Sequence, residues 1–131
     1  MAEEPKEGQK TVLIVEDEKP LLNAIKIKLE NSGFDVVTTR TVDQALSYME
    51  DLSRVDVIWL DHYLLGKGTG LDFVVKVKGN DKWKQIPIFV VSNTASPEKV
   101  QSYIKFGVTK YYTKADFRLD QIIADMKEVI V

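Results

Sequence analysis

The chain has 131 residues, no cysteine and nearly balanced charge, with 18 Lys+Arg against 20 Asp+Glu. That length fits one domain with its own core, and the missing cysteine excludes a disulfide scaffold, a cysteine nucleophile and thiolate metal sites. No strongly basic stripe invites direct nucleic-acid binding, and no apolar run approaches the roughly 20 residues that cross a bilayer.

Residues 1–10, MAEEPKEGQK, are polar and acidic with no apolar segment of a secretory signal. They are expected to form a mobile tail ahead of one domain over 11–131, and a cytoplasmic location is expected. From there, apolar β-branched runs alternate with helix-period segments.

Val12-Leu13-Ile14-Val15 reads as the first strand, followed by the acids Glu16, Asp17 and Glu18. Pro20 suits the first turn of a helix whose apolar face is Leu22, Ile25 and Leu29, and Asn31-Ser32-Gly33 stops it. Residues 34–39 form the second strand. Thr41-Val42-Asp43-Gln44 has capping-box form and opens the second helix, with Ala45, Leu46 and Met49 on its buried face. Residues 55–60 alternate less and are more uniformly apolar, as expected of a central parallel strand, and the strand ends at Asp61.

Residues 66–70, GKGTG, read as a loop, and residues 71 to about 78 as the third helix. The fourth strand is expected at 86–91. Ser96-Pro97-Glu98 combines an N-cap, a proline at the first helical position and an acid at the positive end of the helix dipole. Gly107 closes that helix, and residues 108–113 form the fifth strand. The last helix is expected from about Asp116, as N-cap, through Ile122, Ile123, Met126 and Ile130.

Five strands alternating with five helices imply an α/β fold, a parallel sheet covered by helices on both faces. In such sheets chemistry collects at the carboxyl ends of the strands. Glu16-Asp17, Asp61, Ser92-Asn93-Thr94 and Lys114 all fall there. Three converging carboxylates repel one another unless a cation sits among them, and an all-oxygen donor set suits Mg²⁺. A lysine and a hydroxyl opposite that cation would complete the charge compensation that phosphoryl transfer needs, with Asp61 as a carboxylate nucleophile.

The residues resemble the response-regulator receiver family of two-component signalling, which includes the chemotaxis receiver. The motifs are VLIVEDE (residues 12–18), VIWLDHYL (57–64), GLDF (70–73), IPIFVVSNTA (86–95) and KYYTK (110–114), in order over nearly the whole chain. The resemblance implies a flavodoxin-like doubly wound fold with strand order 2-1-3-4-5. It makes Asp61 the phospho-acceptor. Asp17 binds Mg²⁺ directly, Glu16 partly through water, and Tyr63 through its backbone carbonyl. Ser92 is the switch hydroxyl, Lys114 the lysine that meets the phosphoryl group, and Tyr111 the switch aromatic, with Tyr112 the neighbour most easily confused with it. Tyr63 and Thr94 are secondary positions that modulate dephosphorylation.

By the same resemblance, a histidine kinase or histidine phosphotransfer protein donates the phosphoryl group. The surface of the fourth helix, fifth strand and fifth helix then changes for a downstream protein. The domain is a phosphoacceptor, not an enzyme acting on a separate substrate; no membrane is involved, and a homodimer is left open. The runner-up is a degenerate receiver kept only for protein binding. A haloacid-type phosphatase would want a second Asp where Tyr63 stands, and a flavodoxin would want a Ser/Thr/Gly-rich loop where Glu16-Asp17 stand. His62, the one histidine, reads as a pocket-rim side chain.

Three positions depart from the family pattern. Ala115 replaces the proline after the lysine, so a trans Lys114–Ala115 bond is expected. Leu65 replaces a proline four residues after the acceptor. Gly70 lies nine residues after Asp61, one more than usual, which implies a longer and more flexible 66–70 loop.

Overall fold

A computed structural model of the chain describes residues 9–93 and 96–130. The elements run β1 (Thr11–Val15), α1 (Lys19–Asn31), β2 (Asp35–Thr39), α2 (Val42–Asp51), β3 (Val57–Leu60), α3 (Gly70–Lys78), β4 (Ile88–Ser92), α4 (Pro97–Lys105), β5 (Lys110–Thr113) and α5 (Leu119–Val129). All strand pairs are parallel, in the order β2-β1-β3-β4-β5. The expected α/β architecture and strand order are therefore both present.

β1, β3 and β4 are buried along their whole length. Alternate residues of these strands feed two separate cores, since successive side chains point to opposite faces. Val12, Ile14, Trp59, Phe89 and Val91 pack with Leu22, Ile25 and Leu29 of α1 and Ile122 and Met126 of α5. Leu13, Val15, Ile58, Leu60 and Val90 pack with Ala45 and Met49 of α2, Phe73 and Val77 of α3 and Tyr103 of α4. Each fully buried aliphatic side chain contributes about 1.5–3 kcal/mol against unfolding.

The element ends differ from the sequence reading where local chemistry decided them. The second and third strands begin later than expected, because the parallel ladder starts at Thr11↔Asp35 and Val12↔Val57. α3 begins at Gly70, not Leu71, because Thr69 and Asp72 form a capping box. The 66–70 stretch is thus partly helix. Its remainder docks on the start of α2, through a bridge between Thr41 and Leu65 and the packing of Gly68 near Val42. α5 starts after Arg118, not at Asp116, whose N–H closes a turn onto the Thr113 carbonyl at 3.0 Å. The described peptide bonds are all trans, Lys114–Ala115 included. Of the expected 1–10 tail, residues 1–8 lie outside the described residues, and the Lys10 carbonyl accepts from the Asp35 N–H at 2.9 Å.

Candidate functional site

The sheet ladder extends one residue past the strand ends and carries the acids with it. The Glu16 N–H donates to the Thr39 carbonyl at 3.0 Å, and the Asp61 N–H to the Val15 carbonyl at 2.9 Å. The Lys114 N–H donates to the Ser92 carbonyl at 2.9 Å. Glu16, Asp61 and Lys114 are therefore fixed by backbone pairing and not by free loops. Asp17 follows on the β1–α1 connection, whose carbonyl at that residue accepts from Arg40 Nη2 at 2.7 Å and Nε at 3.1 Å.

One carboxylate oxygen each from Glu16, Asp17 and Asp61 lies within 4.8 Å of the others. Glu16 is 0% and Asp61 4% exposed. Lys114 Nζ reaches Glu16 Oε1 at 3.1 Å and Asp61 Oδ2 at 3.5 Å. The Glu18 N–H donates to Glu16 Oε2 at 3.2 Å and the His62 N–H to Asp61 Oδ1 at 2.8 Å. Burial, reinforced by the Asp61 charge, pushes the Glu16 carboxyl up to about 7 against the opposing pull of Lys114. Burial also raises Asp61, with Asp17 adding to it, while Lys114 and the His62 N–H pull it back. Two acids that resist ionisation beside a third form a carboxylate cage that the single Lys114 ammonium only partly compensates. Its donors are all oxygen, so the residues fit a hard divalent cation.

Ser92 closes the β4 end. It is fully buried, and its hydroxyl has no hydrogen-bond partner among the described residues. An unmet buried hydroxyl is costly unless another state satisfies it. The two tyrosines of β5 part company by alternation. Tyr112 enters the α1/α5 core, stacks on Phe89 and donates to Asp125 Oδ2 at 2.6 Å. Tyr111 is half-buried on the other face, its ring 5.5 Å from that of Tyr103. Tyr63 is 50% exposed beside the pocket. The expectation for Thr94 lies outside the described residues.

Sequence reasoning missed three residues here. Arg40, which holds the Asp17 carbonyl, carries no motif and lies 23 positions away. Tyr103, expected only by its helix, places its hydroxyl 2.6 Å from His62 Nδ1, and His62 is itself buried and not on the rim. Gly70 packs so closely that a Cβ there would lie 2.5 Å from the Asp61 carbonyl oxygen. The glycine was visible in sequence, but the reason for it was not.

This chain and its fold have counterparts among known proteins. Residues 12–127 match the response regulator receiver domain. The phosphate regulon transcriptional regulatory protein PhoB of Pseudomonas aeruginosa is 28% identical over 121 residues, covering 92% of this chain and 52% of that protein. The chain thus spans about half the length of the curated relatives it matches first. Among solved structures, the chemotaxis protein CheY4 of Vibrio cholerae has a TM-score of 0.83 at 26% identity, covering 95% of this chain and 100% of the other. The phosphorylated cyanobacterial phytochrome response regulator RcpA has a TM-score of 0.80 at 28% identity, covering 93% and 91%. The chain belongs to the receiver-domain family of two-component response regulators. Such domains take part in signalling between histidine kinases and downstream effectors. Among the described residues, no helix is long and apolar enough to cross a membrane.

Proposed function

We propose that residues 11–131 form one receiver domain that accepts a phosphoryl group on Asp61. The observation that carries this reading is the convergence on Asp61 of two further carboxylates within 4.8 Å and of Lys114 Nζ at 3.5 Å. That the related RcpA is described as phosphorylated supports it.

In the proposed transfer, an Asp61 oxygen attacks the phosphorus of a phosphohistidine on a histidine kinase or histidine phosphotransfer protein. The O–P bond forms as the N–P bond breaks, and the imidazole leaves with the electron pair. Glu16, Asp17, Asp61 and the Tyr63 carbonyl would hold Mg²⁺, which supplies charge compensation for the phosphoryl oxygens. Lys114 leaves its contacts with Glu16 and Asp61 to donate to one phosphoryl oxygen. The Ser92 hydroxyl, which has no partner among the described residues, donates to another.

The product adds roughly −1.5 to −2 charges at the end of β3. Tyr111 then turns inward beside Tyr103, and the α4-β5-α5 surface presents a new shape to a downstream protein. The same reading makes the domain a cytoplasmic phosphoacceptor that catalyses its own phosphorylation and dephosphorylation. Thr94 and Tyr63 set the rate of hydrolysis.

Incubation with a small-molecule phosphodonor and Mg²⁺ tests this by intact mass. One phosphoryl group is expected on the wild type and none on Asp61→Asn. Labelling that persists in the variant would sink the assignment. No labelling of the wild type, despite a folded chain, would favour the degenerate binding module.

A further inference from the structure

The two residues that follow Asp61 are both held by one helix. Tyr63 Oη accepts from Lys99 Nζ at 2.9 Å, and the same ammonium lies 4.7 Å from the centre of the Tyr63 ring. His62 Nδ1 meets Tyr103 Oη at 2.6 Å. Lys99 and Tyr103 are four residues apart on α4, so they project from one face, one turn apart. Tyr103 is fully buried, and its hydroxyl also faces the backbone N–H of Leu71 at the start of α3. The tyrosine hydroxyl and the His62 ring nitrogen share one hydrogen bond, whose direction follows the His62 tautomer. A Cβ on Gly70 would come within 2.7 Å of the Tyr103 oxygen and 2.5 Å of the Asp61 carbonyl. The helix, the acceptor loop and the start of α3 therefore meet with no slack.

We infer that Lys99 and Tyr103 form a two-point latch through which α4 reports directly on the phosphorylation state of Asp61 and, in return, positions its backbone. They are positioning residues, acting through His62 and Tyr63. This inference rests on Asp61 being the acceptor. It adds a second route beside the Ser92 and Tyr111 rearrangement: this one runs through the backbone next to Asp61, and the two meet at Tyr103, whose ring lies 5.5 Å from that of Tyr111. The Asp61 side chain accepts from the His62 N–H at 2.8 Å, so a phosphoryl group on Asp61 alters the charge that this N–H faces. His62 passes the change to Tyr103, and α4 shifts as a rigid unit. Coupling is reciprocal, so a protein that grips the outer face of α4, at Gln101, Ile104 and Lys105, retunes the acceptor. Ile104 on that face is 51% exposed.

The test uses the full chain and two variants. Tyr103→Phe keeps the buried ring and removes the hydroxyl. Lys99→Met keeps the stem on a partly solvated position and leaves the core untouched. Each is phosphorylated with a small-molecule donor and Mg²⁺, and uptake is read by intact mass. Backbone hydrogen exchange of residues 97–105 is then compared with and without the phosphoryl group. A purely structural role would change exchange equally in both states. The latch predicts that uptake still goes to completion in both variants, at an altered rate, with the phosphorylation-induced change in protection of 97–105 reduced roughly fivefold or more. Full uptake with an undiminished change in either variant overturns the latch and leaves the acceptor assignment standing. A wild type that takes up no phosphoryl group overturns both.

Discussion

Glu16 faces two opposed demands. It is fully buried beside Asp61, which favours the neutral acid, yet Lys114 and the Glu18 N–H favour the carboxylate. Its folded-state value of about 7 exceeds the ordinary 4.5, so the neutral form is the better tolerated one in the folded chain. Stability from this group is complete below about pH 4.5 and lost as the pH rises through about 7. Asp61 is shifted in the same direction. The metal-free protein is therefore expected to lose several degrees of melting temperature between pH 4.5 and 7.5. Glu16→Gln should flatten that profile while weakening Mg²⁺ binding, as thermal scans and titration calorimetry would show. A variant profile as steep as that of the wild type would place the loss elsewhere. Asp120 and Asp125 shift downward, so their contribution is lost only in acid, below this window.

At the level of elements, the β3–α3 connection is where the chain is least forgiving. Thr69 and Asp72 cap α3, and Gly70 brings the start of that helix against Asp61 and Tyr103. Gly70→Ala would press a methyl group into two oxygens and the His62 Cα, all within 3.0 Å. An overpacked site of this kind costs about 1–3 kcal/mol. Chemical denaturation should show that loss, and phosphoryl uptake by the folded variant should slow, since the displaced backbone belongs to Asp61. An Ala variant with wild-type stability and uptake would contradict the close packing.

For the whole molecule, the site is an edge property of the sheet. β1, β3 and β5 each deliver one charged residue to it through the parallel ladder, and Arg40 after β2 braces the Asp17 carbonyl. A cation bound there ties the strand ends together in the folded state only, so Mg²⁺ should raise the melting temperature by linkage, by about 2.7 kcal/mol of stability at one hundred times its dissociation constant. Asp17→Ala should abolish most of that rise. The same rise in the variant would move the metal site away from Asp17.

Much of this was legible in the residues, for reasons that vary with scale. The β-branched runs and helix-period segments announced five strands and five helices, because burial of a central parallel sheet demands continuous apolar strands. Glu16, Asp17, Asp61, Ser92 and Lys114 could be grouped because each directly follows or closes a strand, where backbone pairing leaves little freedom. Tyr111 was chosen over Tyr112 by the family resemblance alone; the structure adds that Tyr112 enters the α1/α5 core. Boundaries were less legible. The start of α3 depended on a Thr69–Asp72 cap hidden among glycines, and Asp116 was spent on a turn, not on capping α5.

By itself the sequence determined the fold class, the edge of the sheet that carries the chemistry, and the charges gathered there. Local periodicity and strand-end position are properties of neighbouring residues, so they survive in a string of letters. Only the tertiary structure decided that Asp61 is held by what surrounds it: Lys114 at 3.5 Å, a glycine with no room for a methyl group, and an α4 helix fastened to His62 and Tyr63. Those contacts join residues 36 and 41 positions apart on α4, or 53 apart through Lys114, and distances of that kind exist only once the sheet has brought the chain together.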